Sequence, residues 1–166
     1  MNQLLLKGRI LMRKNSGWIW LIVVSLIMVI LFSSLGCSNT VQVGGHAMEP
    51  TVKDGEKVKI DSNAYTNARP ERGDIVLYEQ GQYKKIGRVI GLPGETLTIE
   101  DDVVFVNGAI LEEPYLAPST RTLSQTNEFE VSDNSYFILG DNREQSQDSR
   151  SLGFVSSDKI IARVLR

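Results

Sequence analysis

The stretch GGHAMEPT, residues 44–51, has the make-up of a loop that presents one side chain. Two glycines allow a tight turn, and the small residue that follows His46 is then succeeded by Met, a variable residue and Pro. A serine at the point of presentation would become a nucleophile once a neighbouring base took its proton. The residue there is Ala47, whose side chain carries no oxygen, sulfur or nitrogen. His46, the chain's 1 histidine, abuts that position. On an extended segment, however, neighbouring side chains leave on opposite sides, and no Ser or Cys stands beside His46 as a partner. A lone histidine also falls short of the ligand set that zinc needs, so neither a metal nor a cofactor is expected. Cys37 is the 1 cysteine, which excludes an intrachain disulfide.

A loop of this kind works only if a rigid body holds it. After residue 38 the punctuation is that of a β-rich domain. EKVKI (56–60) and DIVLYE (74–79) are short runs of β-branched and aromatic residues, separated by a polar loop containing Pro70 and Gly73. YKKIGRVIG (83–91) reads as another strand, closed by Pro93-Gly94. TLTI (96–99) alternates, and VVFV (103–106) runs into Asn107-Gly108, a strong hairpin signal. FEV, YFIL and the final KIIARVL supply further strands. Residues 111–127 are polar and contain proline, and read as a surface excursion. No sustained 3.6-residue apolar period occurs in this part of the chain. The expected fold is mostly β, antiparallel, with a single core.

The charges are sorted along the chain. Residues 1–48 hold Lys7, Arg9, Arg13 and Lys14 and no acid, so of 18 basic and 20 acidic residues, 14 and 20 lie beyond, a net charge of −6. An acidic body argues against nucleic acid as a partner. Between head and body lies WIWLIVVSLIMVILFSSLG, residues 18–36, without a charge. As a helix it would span roughly 28 Å, close to the thickness of a bilayer's hydrocarbon core. A cleaved secretory signal has a shorter apolar core, of about 7–15 residues, so the length favours a retained anchor. The basic residues precede it, which places residues 1–17 in the cytoplasm and residues 38–166 outside the plasma membrane as a single-pass protein. SLGC at the end of the run also admits lipidation of Cys37, although Ser34 stands where an aliphatic residue is usual for that signal; a plain interfacial thiol is the simpler reading.

Four separated stretches together resemble the type I signal peptidases, membrane-anchored serine proteases that trim signal peptides from exported proteins. They are GHAMEPTVKDGEKVKI, RGDIVLYE, GRVIGLPGE and GDNREQSQDSRSLGFV, in that order behind one apolar segment, and VNGAILEEPYL between them also suits the family. The compact length is similar to that of the Gram-positive members. The resemblance implies antiparallel sheets coiled into a β-barrel-like body, and a serine nucleophile served by a lysine general base. A lysine can act so only when an apolar setting draws its pKa towards neutrality.

Carried over position by position, the resemblance places the nucleophile at Ala47 and the lysine at Gly87, so neither catalytic group is intact. One engineered change at position 47 would leave Gly87 unexplained. Lys85 stands two residues before Gly87 and should leave the strand on the same face, which makes it the geometrically thinkable substitute base. A solvated surface charge is the blander reading of the same lysine. Ser146 matches the family serine that bonds the catalytic lysine, and Asp141, Arg143, Asp148 and Arg150 match residues that hold the site together, through bidentate Asp–Arg pairs. The resemblance implies peptide binding by Gly45, His46, Ala47, Met48 and Pro50 on one side and Lys85, Ile86 and Gly87 on the other. The peptide would lie between them as an added strand, in a groove widened by the two losses.

The expectation is therefore a non-catalytic signal peptidase relative that binds exported proteins or signal-peptide segments. By analogy with degenerate relatives in Gram-positive pilus systems, pilin subunits or a sortase are candidate partners. Two alternatives stand beside it: an active signal peptidase seen as a Ser-to-Ala variant at position 47, and an anchored structural module with no ligand.

Overall fold

The strands that the residue pattern outlines arrange themselves into two antiparallel sheets. The computed structural model describes residues 39–121 and 127–166. The proposed anchor at 18–36 and Cys37 lie outside the described residues. Among those described, no helix is long and apolar enough to cross a membrane. The chain divides into Met1–Cys37 and Ser38–Arg166.

Among the described residues the strands are β1 (Thr40–Gln42), β2 (Lys57–Asp61), β3 (Ile75–Gln80), β4 (Tyr83–Gly91), β5 (Thr96–Glu100), β6 (Val103–Val106), β7 (Ala109–Ile110), β8 (Asn127–Glu130), β9 (Ser135–Leu139), β10 (Val155–Ser156) and β11 (Ile160–Leu165). The larger sheet runs in the order β1-β2-β11-β3-β4-β9-β10 and the smaller in the order β7-β6-β5-β8. Among the described residues, helical structure is limited to α1 (Ser149–Leu152) and two single 3₁₀ turns, Arg143–Gln145 and Ser157–Lys159.

Turn chemistry sets the registers. Val106 pairs with Ala109 across Asn107 and Gly108, whose φ values of 51° and 80° are those of a type I′ hairpin. Asp101 and Asp102 take the same left-handed conformation between β5 and β6, with φ 48° and 66°. Gly81, at φ 62°, opens the two-residue loop that pairs Gln80 with Tyr83 and so fixes β3 against β4.

The expected single core is instead three clusters. A seven-stranded sheet has two faces, and each buries its own side chains. Ile90 and Leu139 join Leu97, Ile99 and Val104 of the smaller sheet, with the Phe137 ring tilted against Phe129, their centroids 4.7 Å apart. Their strand neighbours Val89 and Ile138 face the other way, onto Val76, Tyr78 and Tyr136. This is the two-residue alternation of a strand buried on both sides. The third cluster, Val43, Met48, Val52, Val58, Ile75 and Val164, carries the 44–51 loop on its surface.

Candidate functional site

The loop at 44–51 is a compact turn and not an extended segment. Gly45, at φ 88°, donates its N–H to Asp54 Oδ1 at 2.7 Å, and Glu49 N–H returns to His46 O at 3.2 Å. Met48 is buried among Val43 and Val52, and its carbonyl accepts from Val52 N–H at 2.8 Å, so an apolar peg holds the loop down. The expectation that His46 points away because its segment is extended is thereby corrected. Its exposed ring turns along the loop to Glu49, with Nδ1 3.0 Å from Oε1. That hydrogen bond and the charge of Glu49 raise the His46 pKa above its ordinary value. Ala47 is half-buried, and its carbonyl accepts from Asn142 N–H at 2.9 Å. Its own N–H makes no hydrogen bond among the described residues.

Across from the loop, β3 and β4 pair Val76 with Gly87 and Tyr78 with Lys85. Directly opposed residues share a face, so Lys85 and Gly87 do lie on one face. Gly87, however, is buried and does not line a groove. A Cβ built on it would stand 2.5 Å from Ile138 Cγ2 and 3.3 Å from Tyr78 Cε1. Hydrophobic side chains occupy the space beside this position, so the expectation of a groove widened at Gly87 is corrected. Lys85 Nζ donates to Gln147 O at 3.0 Å, and no described hydrogen bond joins it to the 44–51 loop.

The segment 140–150 ties both walls together. Asp141, almost fully buried, accepts Arg88 Nε at 2.8 Å and Nη2 at 2.6 Å in a bidentate pair, and also accepts the Thr51 hydroxyl. Arg88 also reaches Gly73 O and lies 3.9 Å from the ring centroid of Tyr115. Burial works against the Arg88 charge, but Asp141 outweighs it and raises the pKa. Asp148 caps α1 and holds Arg150 at 2.8 and 2.9 Å, while its Oδ2 also accepts Gly140 N–H. Arg143 is fully buried, donates to Gly140 O at 3.0 Å and pairs with Glu113. Thus Asp148 and Arg150 pair with each other, whereas Asp141 and Arg143 find their ion-pair partners, Arg88 and Glu113, outside the motif. Gly140 must be glycine: a Cβ there would meet Ser146 Oγ and come within 2.5 Å of Ala47 O. Ser146 is half-buried beside Ala47, and its hydroxyl has no hydrogen-bond partner among the described residues.

Between these walls lies a cleft of about 400 Å³. One side is β1 with Val43 to Met48, the other is β3–β4 at Leu77, Tyr78 and Lys84 to Ile86, and Ser146 closes an end. Gly45, His46, Ala47, Met48, Lys85 and Ile86 line it as expected positions, but Pro50 and Gly87 do not. Pro50 faces a second cleft of about 400 Å³, with Lys53, Ala117 and Asn142. β1 is an edge of the larger sheet, and β9 pairs with β4 only from Arg88 onward. Tyr83 to Gly87 therefore show an unpaired backbone edge, as β1 does. Two open strand edges border one cleft, which is the setting for strand addition. Among the described residues, no group of three His, Cys, Asp or Glu side chains is placed to hold a metal ion.

Sequence reasoning missed Arg88, Glu113 and Thr51 as supports and Tyr78 as a cleft residue. An arginine inside the apolar run RVIGL was the available signal, since a buried charge demands a partner. Glu113 and Tyr78 gave none.

Residues 16–166 match the family described as Signal peptidase, peptidase S26, and the chain belongs to that family. It is 32% identical over 163 residues to Signal peptidase IB of Staphylococcus aureus, covering 87% of this chain and 85% of that protein. It is 33% identical over 153 residues to Signal peptidase I S of Bacillus subtilis, covering 86% and 83%. Its fold is similar to a crystal structure of a signal peptidase I from Enterococcus faecalis, with TM-score 0.51 and 32% identity, over 59% of this chain and 97% of that one. The mostly β, antiparallel reading of the sequence and its family resemblance both hold.

Proposed function

We propose that this chain is a non-catalytic member of the signal peptidase family that holds extended segments of exported proteins in the cleft between β1 and β4. The observation that carries the reading is the chemistry at the cleft's end. Ala47 offers no nucleophile, Gly87 is closed over by Ile138, and Lys85, the remaining amine, is bonded to the carbonyl of Gln147. Loss of the nucleophile costs a serine protease roughly 10⁶ in turnover, so any residual rate would come from binding alone. The two open backbone edges, by contrast, need no side-chain chemistry to take up a strand. With residues 18–36 as the anchor, the domain would work at the outer face of the plasma membrane on signal-peptide-bearing proteins, pilin subunits or a sortase.

The test is to incubate the 166-residue chain in detergent with a signal-peptide-bearing preprotein and with pilin subunits. Retention of an uncut partner supports the reading, and cleavage above the uncatalysed rate ends it. A second reading, an active signal peptidase seen as an Ala47 variant, draws on Lys85, which lies in the cleft opposite Tyr78. It requires that Ala47→Ser alone restores cleavage.

A further inference from the structure

The cleft is cationic in a domain whose net charge is negative. Lys84, Lys85 and His46 line it, and no Asp or Glu does. Lys84 makes no ion pair among the described residues, although Glu79 is its cross-strand neighbour. Lys85 uses one of its three N–H donors on Gln147 O. The nearest acid to the His46 ring is Glu49, which faces the second cleft. A neutral peptide backbone has no use for two ammonium groups.

Several hydrogen-bond donors of the cleft are unused. Ala47 N–H is unused, and so is the Ser146 hydroxyl. Tyr78, at 3% exposure, lines the cleft and has no hydrogen-bond partner among the described residues. Every fully buried side-chain polar atom among those residues is paired, so the Tyr78 hydroxyl retains access to the cleft or to water. Burial, and then the charge of Asp148, raise its pKa and keep it a donor. An amide N–H, two hydroxyls and two ammonium groups line the cleft in which Ala47 lacks a side-chain oxygen. The single carbonyl oxygen of an internal peptide unit could satisfy only part of that set. A carboxylate has two oxygens and a full charge, and so can occupy more of these donors than one carbonyl can.

We propose that the cleft captures a peptide by its free C-terminal carboxylate, seated between Ala47 N–H, Ser146, Tyr78 and Lys85. The ligand class is thus a finished peptide end, such as proteolysis generates, and not an uncut chain running through. This inference rests on the peptide-holding reading above and sharpens it.

The experiment compares two probes on the 166-residue chain in detergent: a fluorescein-labelled, alanine-rich decapeptide with a free C-terminal acid and the same peptide as its C-terminal amide. Fluorescence anisotropy should show the acid binding about tenfold more tightly, the scale of one charge-assisted hydrogen bond, with the preference falling as salt rises. Tyr78→Phe and Lys85→Met should each shrink the acid-to-amide ratio several-fold, whereas a folding defect would weaken acid and amide in parallel and leave the ratio unchanged. Equal binding of acid and amide overturns the carboxylate inference and leaves the peptide-holding reading standing. Binding of neither probe overturns both.

Discussion

Ile138 Cγ2 lies 2.5 Å from the point where a Cβ on Gly87 would be built, so the methyl group occupies the start of any side chain at that position. A β-branched residue on a central strand cannot swing such a methyl aside freely. Gly87 and Ile138 therefore form a packed pair, and a lysine cannot simply be put back. Ala47→Ser is expected to leave preprotein cleavage at background, and Gly87→Lys to cost about 1–3 kcal/mol through overpacking. Adding Ile138→Ala to the Ala47→Ser/Gly87→Lys protein should recover much of that loss, measured by urea unfolding. A double variant as stable as the parent would show that the pair is not in conflict.

The bidentate contact of Arg88 with Asp141 is buried and shared with Thr51, so its loss leaves a cation without its partner. Asp141→Asn should destabilise the domain by about 3–5 kcal/mol. Chemical denaturation followed by tryptophan-independent circular dichroism measures it. A change under about 1 kcal/mol, the range of exposed pairs, would mean that the bridge is ornamental.

Gly140 sits under both Ser146 and the Ala47 carbonyl. Gly140→Ala forces backbone and side chain apart at once, since one of the obstructing atoms is a main-chain oxygen. The expected outcome is a measurable loss of stability together with weaker binding of the decapeptide acid. Unchanged binding in a folded variant would place the ligand elsewhere.

His46 and Glu49 form an exposed pair whose chief effect on titration is the hydrogen bond, followed by their mutual charge. A raised histidine pKa and a lowered Glu49 pKa in the folded state mean that the pair's contribution is complete between 4.5 and 6.5, fades as pH climbs through the higher folded histidine value, and is lost again as acid protonates Glu49. In proton NMR the ring signals of His46 should titrate with a midpoint above 6.5, and Glu49→Gln should lower it. A midpoint at or under 6.5 in the parent chain would contradict the contact.

The strands were legible because each is bounded by residues with a conformational reason to stop. Tyr83–Gly91 and Val103–Val106 coincide with YKKIGRVIG and VVFV, as the left-handed pairs at Asn107-Gly108 and the glycine at 81 require. The short strands β1, β7 and β10, of 3, 2 and 2 residues, are too brief for alternation to show, and tertiary pairing alone creates them. At the site, the structure places Gly45, His46, Ala47, Met48, Lys85 and Ile86 of the motif positions along the cleft and Pro50 and Gly87 away from it, and their bonds had no trace in the motifs. Asp141 reaches back 53 residues to Arg88 and Arg143 reaches back 30 to Glu113, and local spacing carries no record of such distant partners. The closure of Gly87 was invisible for the same reason: Ile138 belongs to another strand.

Residues 111–121 look like a dispensable excursion, yet Glu113 grips Arg143 and Tyr115 covers Arg88. Arg143 in turn bonds the carbonyl of Gly140, the residue wedged beneath Ala47. The excursion is therefore a clasp fastened over the two arginines from outside. A hybrid that borrowed the cleft from this chain and the clasp from a relative without a matching acid would strand a buried guanidinium and loosen the floor. For exchange between relatives, the inheritable unit is the clasp together with its arginines, however far apart they lie along the chain.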